Sequence, residues 1–185
     1  LIGDIAGKSV LDLGCGDGSL LRYLRESRNV FVFFLEIDDK NLLSCFYNGI
    51  NVIQNDLESG LSSFESDSFD YVILSQTLQA MRHTEDIIQE MLRVGKQGIV
   101  SFPNFGYWRN RVQVALGQMP ISKALPYHWY DTPNIHLCTL NDFEALCRRC
   151  NAHIIECRVM SNYRPVHIFP NLMGMLAFYR FERAK

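Results

Sequence analysis

Three glycines at alternate positions, Gly14, Gly16 and Gly18, follow the apolar run Val10-Leu11-Asp12-Leu13. A strand that gives way to a glycine turn and a helix start presents backbone N–H groups to a ligand. Glycine has no Cβ, so a ligand can touch the main chain there and the backbone can take positive φ. Two kinds of ligand use such a turn. A dinucleotide pyrophosphate needs G-x-G-x-x-G, whose third glycine lets helix and strand pack closely. Counted from Gly14, that third place is Ser19, which weakens the pyrophosphate reading.

Two further acids extend the pattern. Glu36 follows the apolar run Val30–Leu35 and lies 22 residues after Gly14. That is close to the ~20-residue offset at which a carboxylate reaches ribose hydroxyls. Asp56 follows a third short run, Val52–Gln54, where a carboxylate can accept from an adenine amino group. With Asp12, three acids would line the carboxyl edge of a parallel sheet, where open α/β folds bind ligands. Such a lining repels a polyphosphate and accepts a cationic nucleoside, which favours S-adenosylmethionine over NAD. A lone glycine turn is ordinary fold punctuation; the glycines, Glu36, Asp56 and the end of a fourth strand carry the reading jointly.

The elements that must position these residues follow from hydrophobic periodicity. Short apolar runs alternate with amphipathic stretches, the pattern of a parallel α/β sheet. Strands are predicted at Ser9–Leu13, Val30–Leu35, Val52–Gln54, Ser68–Ser75, Gly98–Phe102, His153–Cys157 and Leu176–Phe181, the last pairing as a final hairpin. Helices are predicted over Ser19–Glu26, from about Lys40 to Asn48-Gly49, and after Thr84 as N-cap, with Ile87, Ile88, Met91 and Leu92 facing inward. Another spans Tyr107–Leu116 and stops at Gly117. The last starts at Thr139, with Asp142 placed for a capping box. The rhythm breaks from about 105 to 134, an aromatic-rich insertion holding both tryptophans and three of the six prolines. One domain over residues 1–185 is expected.

Net charge is −2, so nothing suggests an electrostatic footprint for nucleic acid or an anionic membrane. No apolar run reaches the ~18 residues of a membrane span. The six cysteines, at 15, 45, 138, 147, 150 and 157, lack disulfide-scaffold density. Cys147 and Cys150 form a C-x-x-C, but late on a helix rather than at its start, where a thiolate is favoured. No second pair completes a zinc set, so metal is not expected. A reduced, cytoplasmic protein is the expectation.

The segments "VLDLGCGDG", "LEID", "NDLESGL", "FDYVILSQTLQ" and "MLRVGKQGIVSFPNF" resemble a class I S-adenosylmethionine-dependent methyltransferase. With "NFGYWRNR" and "PYHWYDTPNIHLCTLNDFEALC" they resemble more closely the methionine-biosynthesis family MetW. That likeness implies a Rossmann-like fold, a seven-stranded mostly parallel sheet with helices on both faces. It implies that Asp12, Gly14, Gly16 and Gly18 hold the methionine portion of S-adenosyl-L-methionine or S-adenosyl-L-homocysteine. Glu36 takes the ribose hydroxyls, Ile37 packs on adenine, Asp56 and the Leu57 backbone read its edge, and Ser75 or Gln76 lies near the amino end. It also implies a partner, a homoserine O-acyltransferase of the MetX type, that depends on the MetW-like protein for activity. Relatives often carry a "KPGG"-like turn where this chain has Gly95-Lys96-Gln97-Gly98, whose glycines are expected to supply the same turn.

No catalytic set is evident. His83 reads as a solvated residue before a helix. His128, Trp129, Tyr130 and His136 could wall a substrate pocket with a histidine as base. Tyr107, Trp108, Arg109, Arg111, Tyr127, Trp129 and Tyr130 are of types enriched in interfaces, and with the resemblance they favour partner contact, His128 between Tyr127 and Trp129 being a partner or substrate contact. No G-x-S-x-G elbow occurs, so any acyl-transfer nucleophile belongs to another polypeptide. Two functions stay open: an accessory subunit of the acyltransferase, and a methyltransferase acting on a small molecule.

Overall fold

Successive residues of the first strand bury on opposite faces of a sheet. Val10 joins one cluster with Phe34, Ile73 and Ile99, whereas Leu11 and Leu13 join another with Leu35, Val72, Leu74 and Val100. This two-residue alternation with both faces buried is why the strands read as unbroken apolar runs. In a computed structural model the described residues are 6–14, 30–37, 42, 43, 47 and 52–184, Glu36 by its backbone alone. Gly16, Gly18 and the predicted helix Ser19–Glu26 lie outside them; Leu42, Leu43 and Tyr47 are helical, as expected for the second helix.

The described elements are β1 (Ser9–Leu13), β2 (Phe31–Glu36), β3 (Val52–Gln54), β4 (Phe69–Ser75), α1 (Thr84–Val94), β5 (Gly95–Pro103), α2 (Trp108–Ala115), α3 (Leu140–Arg149), β6 (Ala152–Ser161), β7 (Arg164–Pro165), α4 (Pro170–Met173) and β8 (Leu176–Arg183). One sheet orders them β3-β2-β1-β4-β5-β8-β6-β7. The first five strands run parallel, and β8 is antiparallel to both β5 and β6. Strand order reverses between β1 and β4, which opens the crevice where such sheets take ligands. The larger cluster is covered by Ile87, Ile88, Met91 and Leu92 of α1 and by Phe143 and Cys147 of α3.

Three sequence expectations are adjusted and one cap is as expected. The sheet has eight strands among the described residues, not seven. The extra one, β7, is a two-residue arm paired with Met160 and Ser161 across a tight turn, too short for a periodic signal. Thr84 is the first helical residue of α1, not its cap; His83 occupies the cap position. Thr139 does cap α3, with the reciprocal bonds to Asp142 in place. The Gly95–Gly98 segment is extended rather than a turn, because α1 runs directly into β5. Its glycines serve packing: a Cβ on Gly95 would lie 2.5 Å from Val72 Cγ2, and one on Gly98 2.5 Å from the buried Phe181 ring.

After β5 the chain is held by a buried amide node. Asn104, 1% exposed, donates from Nδ2 to the carbonyls of Asn171 (3.0 Å) and Gly174 (2.9 Å), and its Oδ1 accepts from Gly106 N–H (2.9 Å). Asn171 Oδ1 accepts from Leu140 N–H at the start of α3. Asn110 of α2 donates back to the Asn104 carbonyl. The node therefore fixes where α2 and α3 begin relative to the approach to β8.

Candidate functional site

The carboxyl ends of β3, β2, β1 and β4 lie side by side, three strand spacings across, or roughly 14 Å. Asp12 is 2% exposed within β1, opposite Phe34 and Ile73. Gly14 turns the chain with φ +79° and donates its N–H to the Leu35 carbonyl at 3.0 Å. A Cβ on Gly14 would meet Thr77 Oγ1 at 3.0 Å, so the loop after β4 closes against this turn. Thr77 is fixed in turn by donating to the Ser75 carbonyl (3.0 Å). The close approach read from the glycines is thus partly an approach by the protein itself, and Thr77 carries no sequence signal for it.

Glu36 closes β2 opposite Gln54, and Ile37 beyond it is exposed. Asp56 is exposed, and its Oδ1 accepts from Glu58 N–H to cap the 3-10 turn Leu57–Ser59. Leu57 packs against the larger core. At the end of β4, Ser75 Oγ is 3.1 Å from Ser101 Oγ, and Gln76 N–H donates to the Ser101 carbonyl at 2.9 Å. Gln76 takes φ +51°, a left-handed conformation uncommon for a non-glycine residue and typical of constrained sites. The edge therefore gathers Asp12, Gly14, Glu36, Ile37, Asp56, Leu57, Ser75 and Gln76 along adjacent strands. By strand order it sets Asp12, Glu36 and Asp56 on or just past neighbouring strands around a main-chain turn, a span that matches a nucleoside bearing an amino-acid arm.

The aromatic segment divides in two. Tyr107 is buried and packs its ring 5.9 Å from that of Trp108, so it presents little surface. Trp108, Val112 and Leu116 fall at four-residue spacing and are exposed, Leu116 by 73%. Arg109 lies over the Trp108 ring at 5.3 Å, and Arg111 Nε donates to the Gly106 carbonyl. Tyr127, His128, Trp129 and Tyr130 are exposed; His128 and Tyr130 stack at 5.3 Å, and Trp129 meets Tyr130 edge-on. The histidines do not share a pocket as the sequence suggested. His128 and Trp129 border a cavity of about 150 Å³ with Met119 and Ile135, while His136 borders another of about 180 Å³ against Phe102 and Phe143. Neither is lined by Tyr130. His83 is a surface residue 4.0 Å from Asp86.

Burial pushes the Cys147 and Cys138 thiols up to about 12, and raises Cys150 as well. These are protonated packing groups, not nucleophiles. Among the described residues no group of three or more His, Cys, Asp or Glu is placed to hold a metal, and no helix is long and apolar enough to cross a membrane.

Residues 4–181 match the family model described as methionine biosynthesis protein MetW. The chain belongs to the MetW family. A relative from Rhodopirellula baltica, the bifunctional methionine biosynthesis protein MetXA/MetW, is 40% identical over 161 residues. That stretch is 82% of this chain and 26% of the relative, so the chain spans about a quarter of the length of the curated relative it matches. An S-adenosylmethionine-dependent methyltransferase from Mesorhizobium loti superposes with a TM-score of 0.72 at 19% identity, covering 98% of this chain and 94% of that one. A chain of the complex between the Haloferax volcanii Trm112 methyltransferase activator and a putative methyltransferase also gives 0.72, at 16% identity, covering 97% and 84%. At these identities the likeness shows the fold. A MetW-family chain thus carries the methyltransferase-like architecture expected from its motifs.

Proposed function

We propose that this chain is a single-domain, cytoplasmic accessory subunit of a MetX-type homoserine O-acyltransferase, and that it binds S-adenosyl-L-methionine or S-adenosyl-L-homocysteine. The observation that carries the partner is the Rhodopirellula relative, whose name joins MetXA and MetW in one bifunctional protein. The lack of a G-x-S-x-G elbow in this chain agrees with an acyl nucleophile supplied by the partner. The exposed face of Trp108, Arg109, Arg111, Tyr127, His128, Trp129 and Tyr130 is its contact surface.

For the cofactor, Gly14 fits by its left-handed backbone, which turns the main chain at the end of β1, while the side a Cβ would occupy is taken by Thr77. Asp12 and the 14–18 turn orient the amino-acid arm, Gly16 and Gly18 lying outside the described residues. Glu36 accepts from the ribose hydroxyls, Ile37 covers the base, Asp56 and Leu57 read its edge, and Ser75 and Gln76 flank the amino end. When bound, S-adenosylmethionine supplies a sulfonium methyl.

The experiment is co-purification of the chain with the acyltransferase, followed by acyl-transfer assays with and without the chain. Acyl transfer that rises on adding the chain is expected. Equal rates with and without it, together with methyl transfer from labelled cofactor to a metabolite at ordinary turnover, refute the accessory reading and establish the methyltransferase one. Calorimetry on Glu36→Ala tests the cofactor separately; unchanged affinity refutes the ribose assignment.

A further inference from the structure

A cavity of about 390 Å³ opens beside Gln76, on the side of β4 away from β1. It has room for roughly a dozen non-hydrogen atoms at the ~30 Å³ a water molecule fills in the liquid, within the range of small-molecule sites. Its floor is apolar: Met160 of β6, and Met175, Leu176 and Phe178 on and before β8. Its rim is polar, with Gln76, Asn162 and Lys123. Lys123 is the one charged side chain in the lining, and no acid accompanies it.

Two segments with left-handed backbone and one tight turn build this rim. Of the six non-glycine residues with positive φ among the described residues, three line the cavity: Gln76 (+51°), Asn162 (+48°) and Tyr163 (+63°). Asn162 and Tyr163 are the two central residues of the β6–β7 hairpin, fixed by the pairing of Ser161 with Arg164. Two consecutive left-handed residues define the tight hairpin turn that keeps both strands in register. On the opposite wall, Ser122 and Leu125 exchange backbone hydrogen bonds (2.9 and 3.1 Å), and Leu125 is buried. That turn holds Lys123 and Ala124 at its tip. Strained backbone that tertiary structure keeps in place clusters at functional sites. Here it borders a hollow with an apolar floor and a single cation.

We propose that this cavity is a binding site for a small-molecule carboxylate with an apolar body. The apolar chain lies on Met160, Met175, Leu176 and Phe178, and the carboxylate pairs with Lys123 while Gln76 and Asn162 offer amide N–H groups. The cavity adjoins the proposed cofactor edge at Gln76, which the two would share, and the test reads it with no nucleoside present.

Calorimetric titration of the full chain with hexanoate and with 1-hexanol tests it. Hexanoate is expected to bind saturably and about fivefold more tightly than the alcohol, the scale of one partly exposed ion pair. Lys123→Gln, at an exposed turn tip, abolishes that preference and leaves hexanol binding unchanged. Leu176→Trp fills the floor and removes both ligands. Arg82→Gln, at an exposed position outside the cavity lining, changes neither. Absence of saturable binding, equal affinity for the two ligands, a preference that survives Lys123→Gln, or loss of binding in Arg82→Gln overturns the proposal.

Discussion

Asn104→Ala is the sharpest test of how the aromatic segment is held. The Asn104 side chain is 1% exposed and makes three hydrogen bonds at 2.9–3.0 Å to Gly106, Asn171 and Gly174. Alanine leaves the Gly106 N–H buried without its acceptor, at a cost of about 1–3 kcal/mol, and removes two donors worth about 1 kcal/mol each net. The carbonyls keep a second lone pair, so the sum is best set at about 3 kcal/mol. For a chain of this length that corresponds to a fall in Tm of roughly 6–12 °C. Urea unfolding followed by tryptophan fluorescence reports it directly, because both tryptophans lie in the segment that the node anchors. Asn104→Asp retains the acceptor for Gly106 but sets a carboxylate against two carbonyl oxygens, and is expected to be worse than alanine. A loss under about 1 kcal/mol for Asn104→Ala, or an aspartate variant as stable as wild type, would show that the node does not bear on stability as described.

Gly98→Ala forces a methyl into the Phe181 ring and is expected to cost about 1–3 kcal/mol in chemical denaturation; a variant within about 0.5 kcal/mol of wild type contradicts the packing role given to this glycine. The Lys96 ammonium (2.9 Å) and the Ser9 N–H hold the Asp70 carboxyl below its usual range, so its stabilisation is present above the ordinary carboxyl value near ~4 and is lost as pH falls beneath it. Asp70→Asn is therefore expected to lower the urea midpoint at neutral pH, and its gap from wild type is expected to shrink as pH falls below the ordinary carboxyl value; a gap that is the same at acid and neutral pH rules this out. Burial that pushes Cys147 up to about 12 predicts that maleimide at neutral pH leaves it unlabelled in the folded chain and modifies it once urea is added. Rapid native labelling at Cys147, read by mass spectrometry, would refute that.

Much of this architecture is legible in the sequence because its cues are local. The alternation of Val10, Leu11 and Leu13, the apolar run into Glu36, and Thr139 with Asp142 each state their element within a few residues. What escaped depends on contacts across the chain. Gly95 and Gly98 resemble turn glycines, yet Val72 and Phe181 determine their role. Tyr107 sits among interface-type aromatics, but its neighbours in space bury it. Strand β7 rests on a left-handed Asn162-Tyr163 pair, and a tyrosine in that conformation has no sequence signature. The strand-end acids and Gly14 could be placed from order alone, since successive parallel strands deliver their ends to one edge. The cavity beside Gln76 could not, because its walls come from four separated stretches.

Strand β8 lies between β5 and β6, which share no hydrogen bond of their own. On the ribosome, β5 emerges long before the strand that must cover its free edge. Until Leu176–Arg183 is available, the buried-type run Ile99–Phe102 has an open row of backbone donors and acceptors, and α3, β6 and β7 have no sheet to join. Completion of this sheet is thus coupled to the synthesis of Leu176–Arg183. A ribosome that stalls before that strand would leave a nascent chain with a hydrophobic edge ready to pair with a neighbour, which makes β8 the element on which the safe folding of the strands before it depends.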